Sequence, residues 1–397
     1  MKKGWKIASG CLAAAVPVGL IIVLCIPNNN IQHITAVGSS GVKPFVETLS
    51  SDYMKTSTGN KYDITVDAGG SGFGIGQVAK GFSNIGDASK NPFESVKSEY
   101  KEFWKKQNIK TVTIGWEAIC IVYIPPKGLS SSTKKQINKL LTLNESNIAN
   151  LYRTFSGYKA GLEMERPKLG LFLNNDIEID SADKEKLNNQ SVIPYARSGG
   201  SLTSGTAASF FEGSHYDNAH TDLTDEQKSA FTNGNYGNDW RVYDTDEANS
   251  RAWDIFNRNN IAGSMVYLSS GFVKSNKSLI MSCGYGIVSY GGVEFSVKKI
   301  KTTGGFNFYR PLNVMLSCDD TRSREFIDYL ISEKTADQWE SLGAKQVDED
   351  DIDSMTSNDK LWCSDIELSK ARYALDESQI WEKDDIVFGA EDRYAEQ

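Results

Sequence analysis

The chain has 397 residues, of which 40% are hydrophobic and 24% charged, so it can bury a large core. This length exceeds that of one ordinary domain and predicts two lobes. The formal net charge of −8 offers no basic face to a phosphodiester backbone, which excludes nucleic acid as the expected partner. An anionic ligand would have to be held by local geometry.

The N-terminus has the features of a membrane-targeting segment. Three lysines in the first six residues precede an apolar stretch over residues 7–26, which is about long enough to cross a bilayer. We favour residues 1–30 as a retained signal or transmembrane anchor that places the rest of the chain on the extracytoplasmic face of the cell membrane. Cleavage and lipid attachment stay open, with Cys25 and Cys11 as the candidate lipid-bearing cysteines.

The next segment predicts repeated units of a strand, a glycine-rich turn and a helix. A strand over residues 31–37 leads into Gly38-Ser39-Ser40-Gly41, and apolar residues then recur at helical spacing. A second strand over residues 62–67 leads into Gly69-Gly70-Ser71-Gly72, and a helix with an apolar stripe that extends to Phe82 follows. Such alternation predicts an α/β lobe.

The rest of the chain continues the mixed α/β pattern. Residues 118–124 are strongly apolar, which is typical of a buried strand in a parallel sheet. Further elements are predicted as a third strand over 84–89, helices over 126–162, a strand over 192–197, a helix after Ser204-Gly205-Thr206, helix and strand over 261–267 and 279–290, a strand over 306–317 and a helix over 326–331.

The three hydroxyl-bearing turns have the chemistry of an anion site. The first turn of a helix has unpaired backbone N–H groups and partial positive charge. Glycines let an oxyanion approach the backbone, and Ser or Thr hydroxyls add donors. Taken singly, a Ser or Gly at a helix N-terminus is more often an ordinary cap than a ligand contact.

The three turns, Ile85-Gly86-Asp87-Ala88-Ser89 and Arg197 resemble, in order and spacing, the ligand segments of phosphate-binding proteins of ABC transporters. The resemblance extends from about residue 34 to 346. It implies a two-lobed type II periplasmic-binding-protein fold that closes on an anion. On this pattern residues 31–125 plus 306–350 would form lobe one, 126–305 lobe two, and 351–397 a C-terminal extension.

The resemblance also implies a ligand-binding set. It comprises Ser40, Gly41, Ser71, Asp87 and Ser89 in lobe one, and Arg197, Ser204, Gly205 and Thr206 in lobe two. Two features depart from the family pattern. Six residues separate Arg197 from Ser204, more than is usual, and Ser89 stands where well-known members have a carboxylate that accepts the phosphate proton. Asp87 could supply that carboxylate, or it could be a turn cap; Arg197 could instead form a salt bridge.

Rival chemistry has weaker support. Gly74-Ile75-Gly76-Gln77-Val78-Ala79 fits a loose dinucleotide fingerprint but falls inside the predicted helix. The chain has neither a G-x-x-x-x-G-K-[ST] loop nor a G-x-S-x-G elbow, so we expect no enzyme and no cofactor. His215, His220 and the acidic run over 348–353 are interpreted as solvated segments, and no metal is expected.

The sequence therefore predicts a receptor that captures inorganic phosphate and delivers it to the membrane subunits of an ABC permease driven by a separate ATPase. Two alternatives stay open. One is a receptor for another tetrahedral oxyanion such as sulfate. The other is a surface adhesin or interaction protein built on the same fold.

Overall fold

The computed structural model describes residues 31–89, 92, 101–156, 167–197, 243–245, 248–317 and 319–347. The predicted anchor, the Ser204-Gly205-Thr206 turn with its helix, the two loop histidines, the acidic run and the C-terminal extension lie outside the described residues. Among the described helices, none combines the length and apolar character needed to cross a membrane.

The described strands are β1 Gln32–Gly38, β2 Tyr62–Ala68, β3 Ile85–Ala88, β4 Ile109–Tyr123, β5 Thr142–Leu143, β6 Ile193–Arg197, β7 Tyr243–Thr245, β8 Ser264–Ser269, β9 Gly286–Ile287, β10 Ser289–Tyr290, β11 Tyr309–Ser317 and β12 Ala344–Gln346. The described α-helices are α1 Lys43–Tyr53, α2 Ser71–Ala79, α3 Lys101–Lys106, α4 Ser131–Lys135, α5 Ile137–Leu140, α6 Ile148–Ser156, α7 Ser181–Asn189, α8 Asn249–Asn259, α9 Ser270–Ser275, α10 Lys277–Ser282, α11 Thr321–Leu330 and α12 Ala336–Leu342.

Ten of the strands form one mixed sheet with the order β2-β1-β3-β11-β4-β8-β6-β7, while β9 and β12 pair with β4 off this path. At one end, β1 runs parallel to β2 and β3. At the other end, β6 runs parallel to β7 and β8. Between these two parallel groups, β4 and β11 pair antiparallel with their neighbours.

Two hydrophobic cores lie along this sheet. The first core packs α1, α11 and α12 on β1, β3 and the parts of β4 and β11 around Val112 and Val314. The second core includes the far half of β4 from Trp116 onward and extends through β6, β8 and α8 to Phe308. The 15-residue strand β4 thus passes from one core to the other, and the chain returns just before β11. Any change in the angle between the cores would have to be absorbed along these two connections.

Two sequence expectations were wrong in detail. The apolar run over 118–124 does not lie in a parallel arrangement, because β4 pairs antiparallel with β8, β9, β11 and β12. Full burial makes a strand apolar on both faces in either arrangement, so composition could not distinguish them. Helix α2 ends at Ala79, and Phe82 beyond it is 73% exposed instead of completing the apolar stripe.

The cysteines and possible metal ligands have plain environments within the described part of the chain. Cys120 is a buried free thiol and Cys283 an exposed one. No cluster of His, Cys, Asp or Glu in the described residues could hold a metal ion. The dinucleotide-like Gly74–Ala79 stretch lies inside α2, away from the turn where a phosphate would bind.

Candidate anion-binding site

The first two predicted turns and the segment that follows β3 meet at one edge of the sheet. Since β1 runs parallel to both β2 and β3, the carboxyl ends of the three strands lie side by side. The backbone N–H groups of Gly69 and Gly70 both donate to the carbonyl oxygen of Gly38, at 2.9 and 2.8 Å. The carboxyl edge of an open α/β sheet is the usual place for a ligand.

Ser39 joins these segments through its side chain. Its hydroxyl donates to the hydroxyl of Ser89 at 3.0 Å and accepts the backbone N–H of Gly41 at 3.1 Å. The backbone N–H of Ser89 in turn donates to the hydroxyl of Ser71 at 3.3 Å. Ser39, Ser71 and Ser89 are each less than 10% exposed, so this buried network holds the three segments together.

Close packing explains two of the glycines. A Cβ atom on Gly38 would stand 2.1 Å from the carbonyl oxygen of Asp87, and one on Gly41 would stand 2.9 Å from Nη2 of Arg310. Both helices that follow the turns, α1 and α2, begin without a side-chain cap. In α1 the N–H groups of Val42 and Lys43 donate to the carbonyl oxygen of Ser39, and Pro44 has no N–H, so it is the first turn of α2 that keeps backbone donors at this edge of the sheet.

The second core contributes Arg197 at the end of β6. The Tyr267 hydroxyl accepts the backbone N–H of Arg197 at 2.8 Å and donates to its carbonyl oxygen at 3.0 Å, and the guanidinium lies over the Tyr267 ring. Nη1 of Arg197 donates to Oδ1 of Asn249 at 3.2 Å. Arg197 is only 5% exposed, so its position is set by these contacts rather than by solvent.

A cavity of about 330 Å³ lies between the two groups of residues. Ser40 and Gly41 line it from the first turn, and Asn249 and Ser269 line it from the second-core side. Pro44, Phe45, Phe272 and Leu342 form an apolar part of its wall. Ser40 and Ser269 thus bring hydroxyl groups from the two cores to one small cavity.

A buried ion pair lies in the same wall. Glu117 on β4 and Arg310 on β11 are register partners, and Oε2 of Glu117 accepts hydrogen bonds from Nε at 3.0 Å and from Nη2 at 2.8 Å. Their side chains are 2% and 5% exposed, and Glu117 lines the cavity. The pair thus joins the two connecting strands directly beneath Gly41.

Asp87 has an unusual environment at the end of β3. It is fully buried, and among the described residues neither of its carboxyl oxygens has a hydrogen-bond partner. Burial raises the pKa of this carboxyl well above its ordinary value, and the opposing effects of the Ser39 N–H and the Lys43 charge are smaller. Asp87 is not among the described residues that line the cavity.

Comparison with known proteins places this geometry in a family. The sequence profile of the PBP superfamily domain matches residues 26–155. An uncharacterized lipoprotein of Mycoplasma genitalium is 31% identical over 348 residues, which cover 82% of this chain and 86% of the relative. The chain belongs to the PBP superfamily. This is a superfamily of solute-binding proteins rather than a class of enzymes.

Two solved structures are similar to this chain. A Clostridium perfringens protein described as a phosphate ABC transporter substrate-binding protein, crystallised with phosphate, superposes with a TM-score of 0.50 at 16% identity; the match covers 80% of this chain and all of that one. An ABC-type phosphate transport receptor from Vibrio cholerae has a TM-score of 0.49 at 16% identity, with 80% and 100% coverage. The first match shows a common fold.

The structure places the predicted site residues of this PBP-superfamily chain in three groups. Ser40 and Gly41 line the cavity, while Ser71 and Ser89 lie behind them in the Ser39 network. Arg197 is not among the described lining residues, but it is hydrogen-bonded to Asn249, which is. Asp87 lies beneath the first turn, against Gly38. Ser204, Gly205 and Thr206 lie outside the described residues.

Sequence reasoning missed five residues of this site: Ser39, Glu117, Asn249, Ser269 and Arg310. The available signal for this pair was that Glu117 is the one charged residue in the second half of β4 and Arg310 the one charged residue in β11. Ser269 had the same sequence signal as the first turn. It ends a strand, and Ser270 and Gly271 begin the helix that follows.

Asp87→Asn is expected to remove a pH-dependent loss of stability from this PBP-superfamily protein. The Asp87 carboxyl keeps its proton to higher pH in the folded chain than in the unfolded chain. Its contribution to the free energy of unfolding is therefore complete below the ordinary carboxyl pKa and is lost as pH rises toward the raised pKa. Each tenfold change in proton affinity is worth about 1.4 kcal/mol. Thermal unfolding at pH 5 and pH 8 should show a smaller decrease for the variant than for wild type.

Asp183 provides a control of opposite sign. The hydrogen bonds from Ser130 hold the pKa of its carboxyl below the ordinary value. Asp183→Asn should therefore destabilise the fold at neutral pH, with an effect that shrinks as pH falls through the acid range. Equal pH dependence in wild type and Asp87→Asn would contradict the raised pKa that burial gives Asp87.

Proposed function

We propose that this chain is an extracytoplasmic solute-binding protein that captures inorganic phosphate and delivers it to an ABC permease powered by a separate ATPase. The observation that carries this proposal is the shared cavity, to which Ser40 and Gly41 come from one core and Asn249 and Ser269 from the other. The phosphate bound in the Clostridium perfringens relative supports the same ligand here.

The wall chemistry suits an oxyanion that retains a proton. Hydroxyl groups in the cavity wall would donate to the anionic oxygens, as an oxyanion requires. The two hydrogen bonds that Glu117 accepts from Arg310 both fall on Oε2, so Oε1 can serve as an acceptor on a side chain that lines the cavity. A carboxylate accepts hydrogen bonds but cannot donate them, so it favours a protonated phosphate over fully ionised sulfate.

Binding would proceed by closure of two lobes, which we assign to residues 31–125 plus 306–350 and to residues 126–305. Ser40, Gly41, Ser71 and Ser89 would act from lobe one, and Arg197 with Ser204, Gly205 and Thr206 from lobe two. Each lobe alone offers part of the donor set, so the closed state would bind more tightly. The ligand would shift the hinge equilibrium by that difference in affinity.

Residues 1–30 would attach the protein to the membrane, so that the binding lobes face the permease from outside the cytoplasm. The apolar stretch could remain as an anchor or be processed to a lipid-bearing cysteine. The relative from Mycoplasma genitalium is a lipoprotein, which supports the second route. Either attachment keeps a captured anion close to the transporter.

Calorimetric titration of the purified full-length chain with phosphate and then with sulfate tests the proposal. We expect phosphate to bind with micromolar or tighter affinity and sulfate to bind at least tenfold more weakly, a difference of about 1.4 kcal/mol. A preference for sulfate would support a receptor for that anion. An absence of heat with either ligand would contradict anion transport and favour a surface interaction protein.

A further inference from the structure

The end of strand β8 repeats the pattern of the first anion turn. Ser269 is the last residue of β8, and α9 begins at once with Ser270 and Gly271. Since β8 runs parallel to β6, Ser269 lies at the same edge of the sheet as Arg197. Ser269 is 6% exposed and lines the cavity that Ser40 and Gly41 line from the other core.

Asn249 restricts the orientation of the Ser269 hydroxyl. Oδ1 of Asn249 accepts the backbone N–H of Ser269 at 3.0 Å and Nη1 of Arg197 at 3.2 Å, so this oxygen cannot be exchanged with the amide nitrogen without facing two donors. Nδ2 of Asn249 then donates to the Ser269 hydroxyl oxygen at 2.8 Å. One side chain therefore orients both Ser269 and Arg197.

The Ser269 hydroxyl also has a proton that it can donate. A serine hydroxyl has one O–H donor and two acceptor positions, and Asn249 occupies one acceptor position. Among the described residues, no acceptor takes the Ser269 proton. We propose that Ser269 donates this hydrogen bond to the bound anion and that Asn249 is its positioning residue. The inference rests on the proposed function and adds a lobe-two contact to the ligand set.

Ser270, the next residue, has a different role and provides a matched control. Its hydroxyl accepts the backbone N–H of Ala118 at 3.1 Å and donates to the carbonyl oxygen of Gly343 at 2.7 Å. It is fully buried, and it is not among the described residues that line the cavity. Both of its hydrogen bonds are internal, so its loss should change stability rather than affinity.

Phosphate titrations of four full-length variants test this assignment. Ser269→Ala should weaken phosphate binding by about tenfold or more, the usual effect of one hydrogen bond to a charged group. Ser269→Thr, which keeps the hydroxyl, should restore most of the affinity. Asn249→Ala should weaken binding as well, because the hydroxyl loses its orientation. Ser270→Ala should lower the unfolding temperature while phosphate affinity stays within about twofold of wild type.

The outcomes separate this inference from the proposed function. If wild type binds phosphate and Ser269→Ala binds it equally well, the Ser269 assignment is wrong and the function stands. If Ser269→Ala fails to fold, unchanged phosphate affinity in Asn249→Ala would overturn the assignment in its place. If wild type does not bind phosphate, the proposed function fails, and the inference fails with it.

Discussion

Arg197→Ala is expected to weaken phosphate binding by about 30-fold or more, because truncating one partner of a buried charged contact usually costs about 2–5 kcal/mol. The substitution leaves the backbone bonds between residue 197 and the Tyr267 hydroxyl in place. It removes the guanidinium that Asn249 holds beside the cavity wall. Calorimetric titration with phosphate, compared with wild type at the same ionic strength, measures the loss.

Arg197→Lys is the matched variant for this prediction. Lysine keeps the positive charge but loses the planar fork and the contact over the Tyr267 ring. We expect affinity between those of wild type and Arg197→Ala. Wild-type affinity in Arg197→Ala, with unchanged thermal stability, would show that Arg197 makes internal contacts and does not bind the anion.

Arg310→Ala is expected to lower the free energy of unfolding by about 3–5 kcal/mol, because it leaves Glu117 charged and unpaired in the interior. Both side chains of the pair are at least 95% buried, so solvent replaces the lost partner only poorly. The pair also lies where β4 and β11 connect the two cores. Urea denaturation followed by tryptophan fluorescence measures the change.

A neutral pair on the same two strands provides the comparison. Thr113 donates to Oδ1 of Asn313 at 2.8 Å, and both residues are fully buried. Thr113→Val removes a hydrogen bond without leaving a charge, which should cost about 1–3 kcal/mol. Equal destabilisation by Thr113→Val and Arg310→Ala would contradict the importance that we assign to the buried charge.

Much of the fold was predictable because the local sequence pattern and the final structure agree. The strand over residues 31–37 and the helix that follows it appear as β1 and α1, and Tyr62–Ala68 and Ile85–Ala88 form the next two strands. The spacing of the apolar residues, together with the turn residues, specifies such strand–turn–helix units directly. The antiparallel pairing of β4 was not predictable, since its partners β8 and β11 lie about 150 and 200 residues further along the chain.

The site was predictable where one segment of sequence contains both the turn and its donors. Ser40 and Gly41 belong to such a segment, and both line the cavity. Ser39 was overlooked because its part in the network depends on Ser89, fifty residues away. Glu117 and Arg310 become neighbours only through strand register. Long-range geometry, and not residue type, gives these side chains their place in the site.

The most direct test of the account is a crystal structure of the chain grown with arsenate, a phosphate analogue whose arsenic atom gives an anomalous signal. We expect one strong anomalous peak in the cavity, within hydrogen-bond distance of Ser40 or Gly41 from one core and of Ser269 from the other. An arsenate that contacts residues of one core alone, or a peak outside this cavity, would contradict the claim that both halves of the molecule hold one anion.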